Sequence, residues 1–292
     1  MTNHQKTAAG RQEAGGSALR VAMARAVHQL LDEPLVFADP YALPILGPEL
    51  EHRLREDPFT LNDPMARSMR AAIVARTLCA EDELRMATEA GVRQCVILGA
   101  GLDTLALRAP HAAMGLRMFE VDHPRAQQFK RELMAQAGIA LHGSAVMVPV
   151  DLRQGSLAHA LERAGLRRDQ PAFFSWLGVT PYLDDEAIWA VLDFIARLPP
   201  GSAVTFDYRV APQRLNAIER VMEEHVAAMF AAMGEPWLSA FEPEALRARL
   251  HEMGYAHAVS LGSADLNGRY FARRKDGLQT AGGGLEVMCA RV

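Results

Sequence analysis

Gly99 and Gly101 interrupt a chain that has just run apolar from Val96 to Leu98. Two glycines one residue apart let a backbone come close to a ligand where any Cβ would clash. An acidic pair, Glu120 and Asp122, closes the next apolar run, Leu116–Val121. A third acid, Asp151, follows the run that ends at Val150. An acid after the second strand of such a unit accepts hydrogen bonds from ribose hydroxyls. Glu120 and Asp122, two residues apart, share a face of a regular strand, and Asp122 ends the run. Asp122 is therefore the first candidate for the ribose and Glu120 the lesser one. An acid after the third strand suits the exocyclic amine of an adenine, or else caps the next helix. Strand, glycine turn, helix, strand and acid together form the entrance of a nucleoside-binding α/β domain.

Two kinds of nucleoside ligand compete for that entrance. A dinucleotide needs its pyrophosphate on a helix N-terminus, helped by a third glycine three residues after the second. Here that position is Thr104, and Asp103 stands where a phosphate would approach. A carboxylate there repels a pyrophosphate. It tolerates a ligand that carries an ammonium and a sulfonium, as S-adenosyl-L-methionine does. An NAD(P)-dependent oxidoreductase remains the alternative, but no Tyr-x-x-x-Lys and no His/Asp proton relay stands out to serve it. A cofactor-binding protein without catalysis is the other alternative.

The elements that must hold these residues are legible from periodicity. Strands are expected at 94–99, 116–121, 145–150, 172–177 and 203–208, with helices at 103–109, 124–137, 156–165 and 184–197 between them. Short apolar runs separated by helices predict a doubly wound, mostly parallel sheet with helices on both faces. Two further strands, about 256–261 and 284–291, bring the sheet to seven. Before it, helices from Ser17, through Leu30, and from Pro64 to Ala90 predict a helical N-terminal cap over 17–90, with Gly91 as its stop. Residues 1–16 are polar and Gly-rich and are expected to be a disordered tail. Between 210 and 253, Leu215, Ile218, Met222, Val226, Met229 and Met233 recur at helical spacing. Core packing is the first reading of that stripe, and a lid over a pocket is the functional one. The fold domain proper is then 91–292, with a helical insertion at about 210–253.

Composition narrows the class. The net charge of −4 and pI near 6.2 argue against a nucleic-acid partner. Cys79, Cys95 and Cys289 lie far apart, with no C-x-x-C pair, so neither zinc nor a disulfide framework is expected. The polar first fifteen residues hold no apolar leader segment, and no run approaches the ~20 apolar residues of a membrane span. A cytoplasmic protein with no membrane partner is the expectation.

Residues 96–104, VILGAGLDT, resemble the glycine motif of the leucine carboxyl methyltransferase-like family. Residues 119–124, FEVDHP, followed by Lys130, and residues 148–153, VPVDLR, are similar to its second- and third-strand motifs. Pro34-Leu35, Asp39-Pro40, Arg76-Thr77 and the closing Arg269-Tyr270-Phe271 with Asp276-Gly277-Leu278 also look like family features. The resemblance spans about 20–290. It implies a Rossmann-like methyltransferase fold and S-adenosyl-L-methionine held by Gly99, Ala100, Gly101, Asp122, Asp151 and Leu152. It also implies that Arg76 pairs with the cofactor's carboxylate, a match of planar fork to carboxylate.

One departure bears on the acceptor. Many family members carry a glutamate five residues before a tyrosine at the end of strand four. Here the tyrosine is Tyr182 and the earlier position is Leu177. The implied reaction is methyl transfer to a carboxylate or hydroxyl of a small-molecule or peptide acceptor. A carboxylate needs no base, whereas a hydroxyl does. Tyr182 is the candidate catalytic residue, placed to orient an acceptor. His123, Trp176 and Tyr208 with Asp207 are weaker candidates, and no metal site is expected.

Overall fold

The structure, a computed structural model, describes residues 16–153 and 156–292. The five expected alternating runs form β1 (Gln94–Leu98), β2 (Arg117–Asp122), β3 (Ala145–Pro149), β4 (Phe173–Trp176) and β5 (Ala203–Arg209). β6 (His257–Leu261) and β7 (Leu285–Arg291) complete a seven-stranded sheet in the order β3-β2-β1-β4-β5-β7-β6. All neighbours pair in parallel except β7, which runs antiparallel between β5 and β6. Every residue of β1 is buried, as a central parallel strand covered on both faces must be. That burial is why the run reads as continuously apolar rather than alternating.

The connections are α4 (Leu105–Arg108), α5 (Pro124–Gln136), α6 (Leu157–Arg163) and α7 (Asp185–Ala196). α4 is a single turn, shorter than the expected 103–109. Thr104, at its start, sends its hydroxyl to Asp39 Oδ2 (2.6 Å) instead of capping the helix. Ala109 then ends it in the left-handed region at φ 41°.

Ahead of the sheet lie α1 (described from Gly16 to Leu31), α2 (Pro48–Glu56) and α3 (Pro64–Glu89). The expected disordered tail falls at 1–15, outside the described residues, and Gly16 is already helical. Ser17 sits inside α1 rather than at a cap. α3 starts sharply because Asp63 accepts from the amides of Met65 and Ala66 and Pro64 opens the first turn. Its Ala71, Ala75 and Cys79 pack on Leu261, Leu266, Phe271 and Val287. One polar tie joins the helices of this N-terminal layer and two lock it to the rest. Arg70 meets Asp32 through two bonds of 2.7 and 2.9 Å. Arg25 donates to the carbonyl of Leu102. Arg108 pairs with Glu81. Burial alone would raise the Asp32 pKa, but the His28 and Arg70 hydrogen bonds override it and hold the carboxyl low.

After β5 come α8 (Ala217–Ala232) and α9 (Pro243–Glu252). Asn216 and Glu219 form a capping box at the start of α8. The core-packing reading of its methionine stripe fails. Phe230 is the helix's one buried residue, while Ile218 and Met222 are 77% and 45% exposed. Ile218, Met222 and Val226 line the cavity described next, while Leu215, just ahead of the helix, packs in the core.

Candidate active site

The carboxyl ends of β1, β2, β4 and β5 open into a cavity of about 1330 Å³, roofed by α1, α3 and α8. This is where open α/β sheets bind ligands, at the point where strand order reverses. The reversal here lies between β1 and β4.

The glycine turn leaves β1 with Gly99 at φ +63° and Gly101 at φ +43°. Side chains rarely adopt such angles. A Cβ on Gly99 would also overlap Val179 Cγ2, so glycine is required twice over. The turn is braced from β2. Gly101 N–H donates to Asp122 Oδ2 and His123 N–H to Asp122 Oδ1, both at 2.6 Å. Burial pushes the Asp122 carboxyl up, against the pull of those two amides. Ala100, lining the cavity, donates its N–H to the carbonyl of Val121 (3.1 Å).

Asp103 also lines the cavity. Its Oδ1 accepts from Leu105 N–H (2.7 Å), and Arg25 lies 3.7 Å from Oδ2. Asp151 and Leu152 sit on the wall beyond β3. Asp151 Oδ1 accepts from Arg153 N–H (3.0 Å), a tight local turn, and it is Ser156 that caps α6. The helix-cap alternative for Asp151 therefore does not hold.

Glu120 is a correction to the expected set. It is 1% exposed and does not line the cavity. Its Oε1 accepts from Lys130 Nζ (2.5 Å), and Lys130 also donates to the carbonyl of Asp103 (2.6 Å). Burial raises the Glu120 pKa, with Lys130 opposing. The pair stands behind the glycine turn and holds it from the protein side.

Arg76 lines the cavity, but its guanidinium is already engaged. Nη1 donates to Asp207 Oδ2. Asp207 Oδ1 accepts from Gly178 N–H (2.6 Å), and its carbonyl accepts from the Thr180 hydroxyl (2.6 Å). Asp207, fully buried, thus ties β5, α3 and the loop after β4 into one node. A Cβ on Gly178 would lie 2.8 Å from Arg76 Nη2. In the sequence Asp207 stands out only as a neighbour of Tyr208. A lone acid in an apolar strand was the signal for it.

Tyr182 reaches the cavity wall in edge contact with Phe230 (ring centroids 6.1 Å). Burial raises its pKa above the usual phenol value, and the charge of Glu235 adds to that rise. Leu177 also lines the cavity. His123 lines it as well, with Nδ1 accepting from Arg125 N–H (3.2 Å) at the start of α5. Trp176 and Tyr208 are fully buried and absent from the lining. The Tyr208 hydroxyl instead meets Ser260 and Glu286, each at 2.8 Å. Among the described residues no cluster of three or more His, Cys, Asp or Glu is placed to hold a metal ion. Nor is any described helix long and apolar enough to cross a membrane.

Residues 18–196 match the model of the leucine carboxyl methyltransferase family. The chain belongs to that family. A Bacillus subtilis relative, named as an S-adenosyl-L-methionine-dependent methyltransferase, YktD, is 31% identical over 92% of this chain and 95% of its own length. A similarly named Mycolicibacterium smegmatis protein is 36% identical over 76% of this chain and 74% of its own. Among solved structures, a methyltransferase-titled protein from Thermobifida fusca has TM-score 0.56 at 18% identity, covering 86% of this chain and 92% of its own. It bears on the fold alone. The protein is thus an S-adenosyl-L-methionine-dependent methyltransferase with a Rossmann-like sheet. The oxidoreductase and non-catalytic alternatives are not favoured. The cavity suits that cofactor: the Gly99 cradle has no room for a Cβ, and carboxylates rather than phosphate-binding groups surround the turn.

Proposed function

We propose that the protein is an O-methyltransferase that acts on a carboxylate or hydroxyl oxygen of a small-molecule or peptide acceptor. The observation that carries this reading is the size and division of the cavity. At about 1330 Å³ it exceeds the ~300–1,000 Å³ usual for one drug-sized ligand, so an acceptor fits beside the cofactor. One end is polar and built on the glycine turn. The other is built on α8, where Ile218, Met222, Val226 and Phe230 line it beside Glu219 and Glu223. Oxygen as the nucleophile is supported by the family, whose matched description is a carboxyl methyltransferase.

In this reading the glycine turn of Gly99, Ala100 and Gly101 approaches the cofactor through its backbone. Asp122 accepts from the ribose hydroxyls and Asp151 from the adenine amine, with Leu152 against the ring. Asp103 faces the ammonium. Arg76 takes the cofactor's carboxylate with the guanidinium face that Asp207 leaves free. The chemistry supplied by the bound cofactor is a methyl already activated on a sulfonium. What remains for the chain is orientation and exclusion of water. Tyr182, kept protonated by burial, donates a hydrogen bond that orients the acceptor. The helices over 17–90 and the insertion at 210–253 serve as cap and lid, in a protein of the cytoplasm.

The test is transfer of labelled methyl to a panel of acids, phenols, alcohols and carboxyl-terminal peptides. Mild alkali then separates the products, because methyl esters release the label and ethers keep it. Label found only on nitrogen or sulfur would sink the oxygen assignment.

A further inference from the structure

The acceptor end of the cavity carries a wall of aromatic rings, of which Phe230 and Trp237 have no part in the transfer itself. Phe230 stacks on Trp237, with ring centroids 5.3 Å apart and planes 28° apart. Tyr182 meets Phe230 edge-on at 6.1 Å. Arg209 lies 4.6 Å over the Trp237 ring and is itself held by Glu223 (2.7 Å). All of these residues line the cavity. Each ring is therefore oriented by another ring or by a fixed guanidinium.

Toward the start of α8, along the helix face that carries Phe230, the cavity is open. Ile218 and Met222, on the cavity side of α8, are 77% and 45% exposed although they line the cavity. Fixed rings beside an adjustable methionine offer a surface on which something flat can lie. Aromatic pairs gain edge-to-face or offset contact beyond the area they bury, and they lose little rotamer freedom on doing so. An aliphatic chain would gain only the area.

We propose that this end of the cavity selects a planar aromatic acceptor, with Phe230, Trp237 and Tyr182 as the residues that determine specificity. The proposal rests on the oxygen-methylation reading and narrows its substrate class. The rings hold the ring system of the acceptor, and the reacting oxygen projects from it toward the glycine turn.

The test compares naphthol and naphthoate with decanol and decanoate, titrated into the full chain saturated with S-adenosyl-L-homocysteine. The aromatic probes should bind about tenfold tighter, the scale of one well-placed aromatic pair. Phe230→Leu and Trp237→Leu keep an apolar side chain but remove a ring. Each should erase the preference while the affinity for S-adenosyl-L-homocysteine stays unchanged. Equal or tighter binding of the aliphatic probes overturns the proposal, as does absence of saturable aromatic binding. So does a preference that survives both substitutions. The wild-type comparison stands even where a variant fails to fold. Labelled methyl on the oxygen of aliphatic acceptors alone would sink this proposal and spare the oxygen assignment. Label on an aromatic amine alone would do the reverse.

Discussion

The two ends of the cavity are built by opposite means. At the glycine turn, backbone amides are bound by buried carboxylates before any ligand arrives. Gly101 and His123 donate to Asp122, and Gly178 donates to Asp207. Behind them Lys130 braces the turn against Glu120. At the α8 end, apolar side chains face open space, and one buried ring, Phe230, anchors the helix. The first end is fixed by polar satisfaction in a low-dielectric setting, where an error is costly. The second is fixed by little, so its residues can change without unfolding the protein. A fold that must always hold one cofactor, while meeting varied acceptors, gains from that division.

Substitutions can break this contrast, and the largest effect is expected behind the turn. Lys130→Met leaves Glu120 buried without its cation and should cost about 3–5 kcal/mol. Burial already raises the Glu120 pKa. The folded state then holds that proton more tightly than the unfolded chain, and stability falls as pH rises through the raised value. The melting deficit of the variant should therefore be larger near pH 8 than near pH 5, as scanning calorimetry at both would show. Adding Glu120→Gln should recover part of it.

Next comes Gly99→Val, which places a side chain on Val179 and on a left-handed backbone. Strain of about 1–3 kcal/mol at the cradle should weaken S-adenosyl-L-methionine binding by about 100-fold in calorimetric titration. Asp122→Asn keeps one acceptor oxygen but loses the charge. Loss of a charge-assisted hydrogen bond, about 1.5 kcal/mol or more, should weaken the same binding at least about tenfold. An unchanged affinity would end the ribose assignment.

Tyr182→Phe should lower kcat/KM about fivefold, one neutral hydrogen bond's worth. Because burial holds the phenol protonated, no rate limb from Tyr182 should appear between about pH 7 and pH 10. Ionising it above that range favours the unfolded chain, so stability should drop there. The smallest effect is expected of Ile218→Ser. Stability should stay within about 0.5 kcal/mol and cofactor affinity should hold, while the acceptor KM rises. A large loss of stability in this variant would erase the contrast between the two ends.

The same contrast explains what could be read from the sequence. Strands β1 to β7 and the residues at their carboxyl ends follow from apolar runs and glycine punctuation, which are local. Gly99, Gly101, Asp122 and Asp151 therefore fall where expected. Glu120 was legible as an acid but not as half of an ion pair, because its partner Lys130 lies ten residues on across a helix. The pairing of Arg76 with a carboxylate is implied by the family resemblance and not by its own stretch of sequence. That Asp207, 131 residues away, holds it first is a matter of tertiary packing. The methionine stripe of α8 has the same period whether it faces a core or a cavity, so periodicity could not say which.

Amides in loops over a binding site normally exchange their hydrogens readily with solvent. Here the amides of Gly101, His123 and Gly178 end on two carboxylates, Asp122 and Asp207, which belong to the interior strands β2 and β5. Their exchange should follow the slow opening of β2 and β5 rather than the fast flicker of loops. Cofactor binding then orders little new chain. Little conformational entropy is lost at that end, and most of what is lost on forming the full complex falls to α8 and the acceptor.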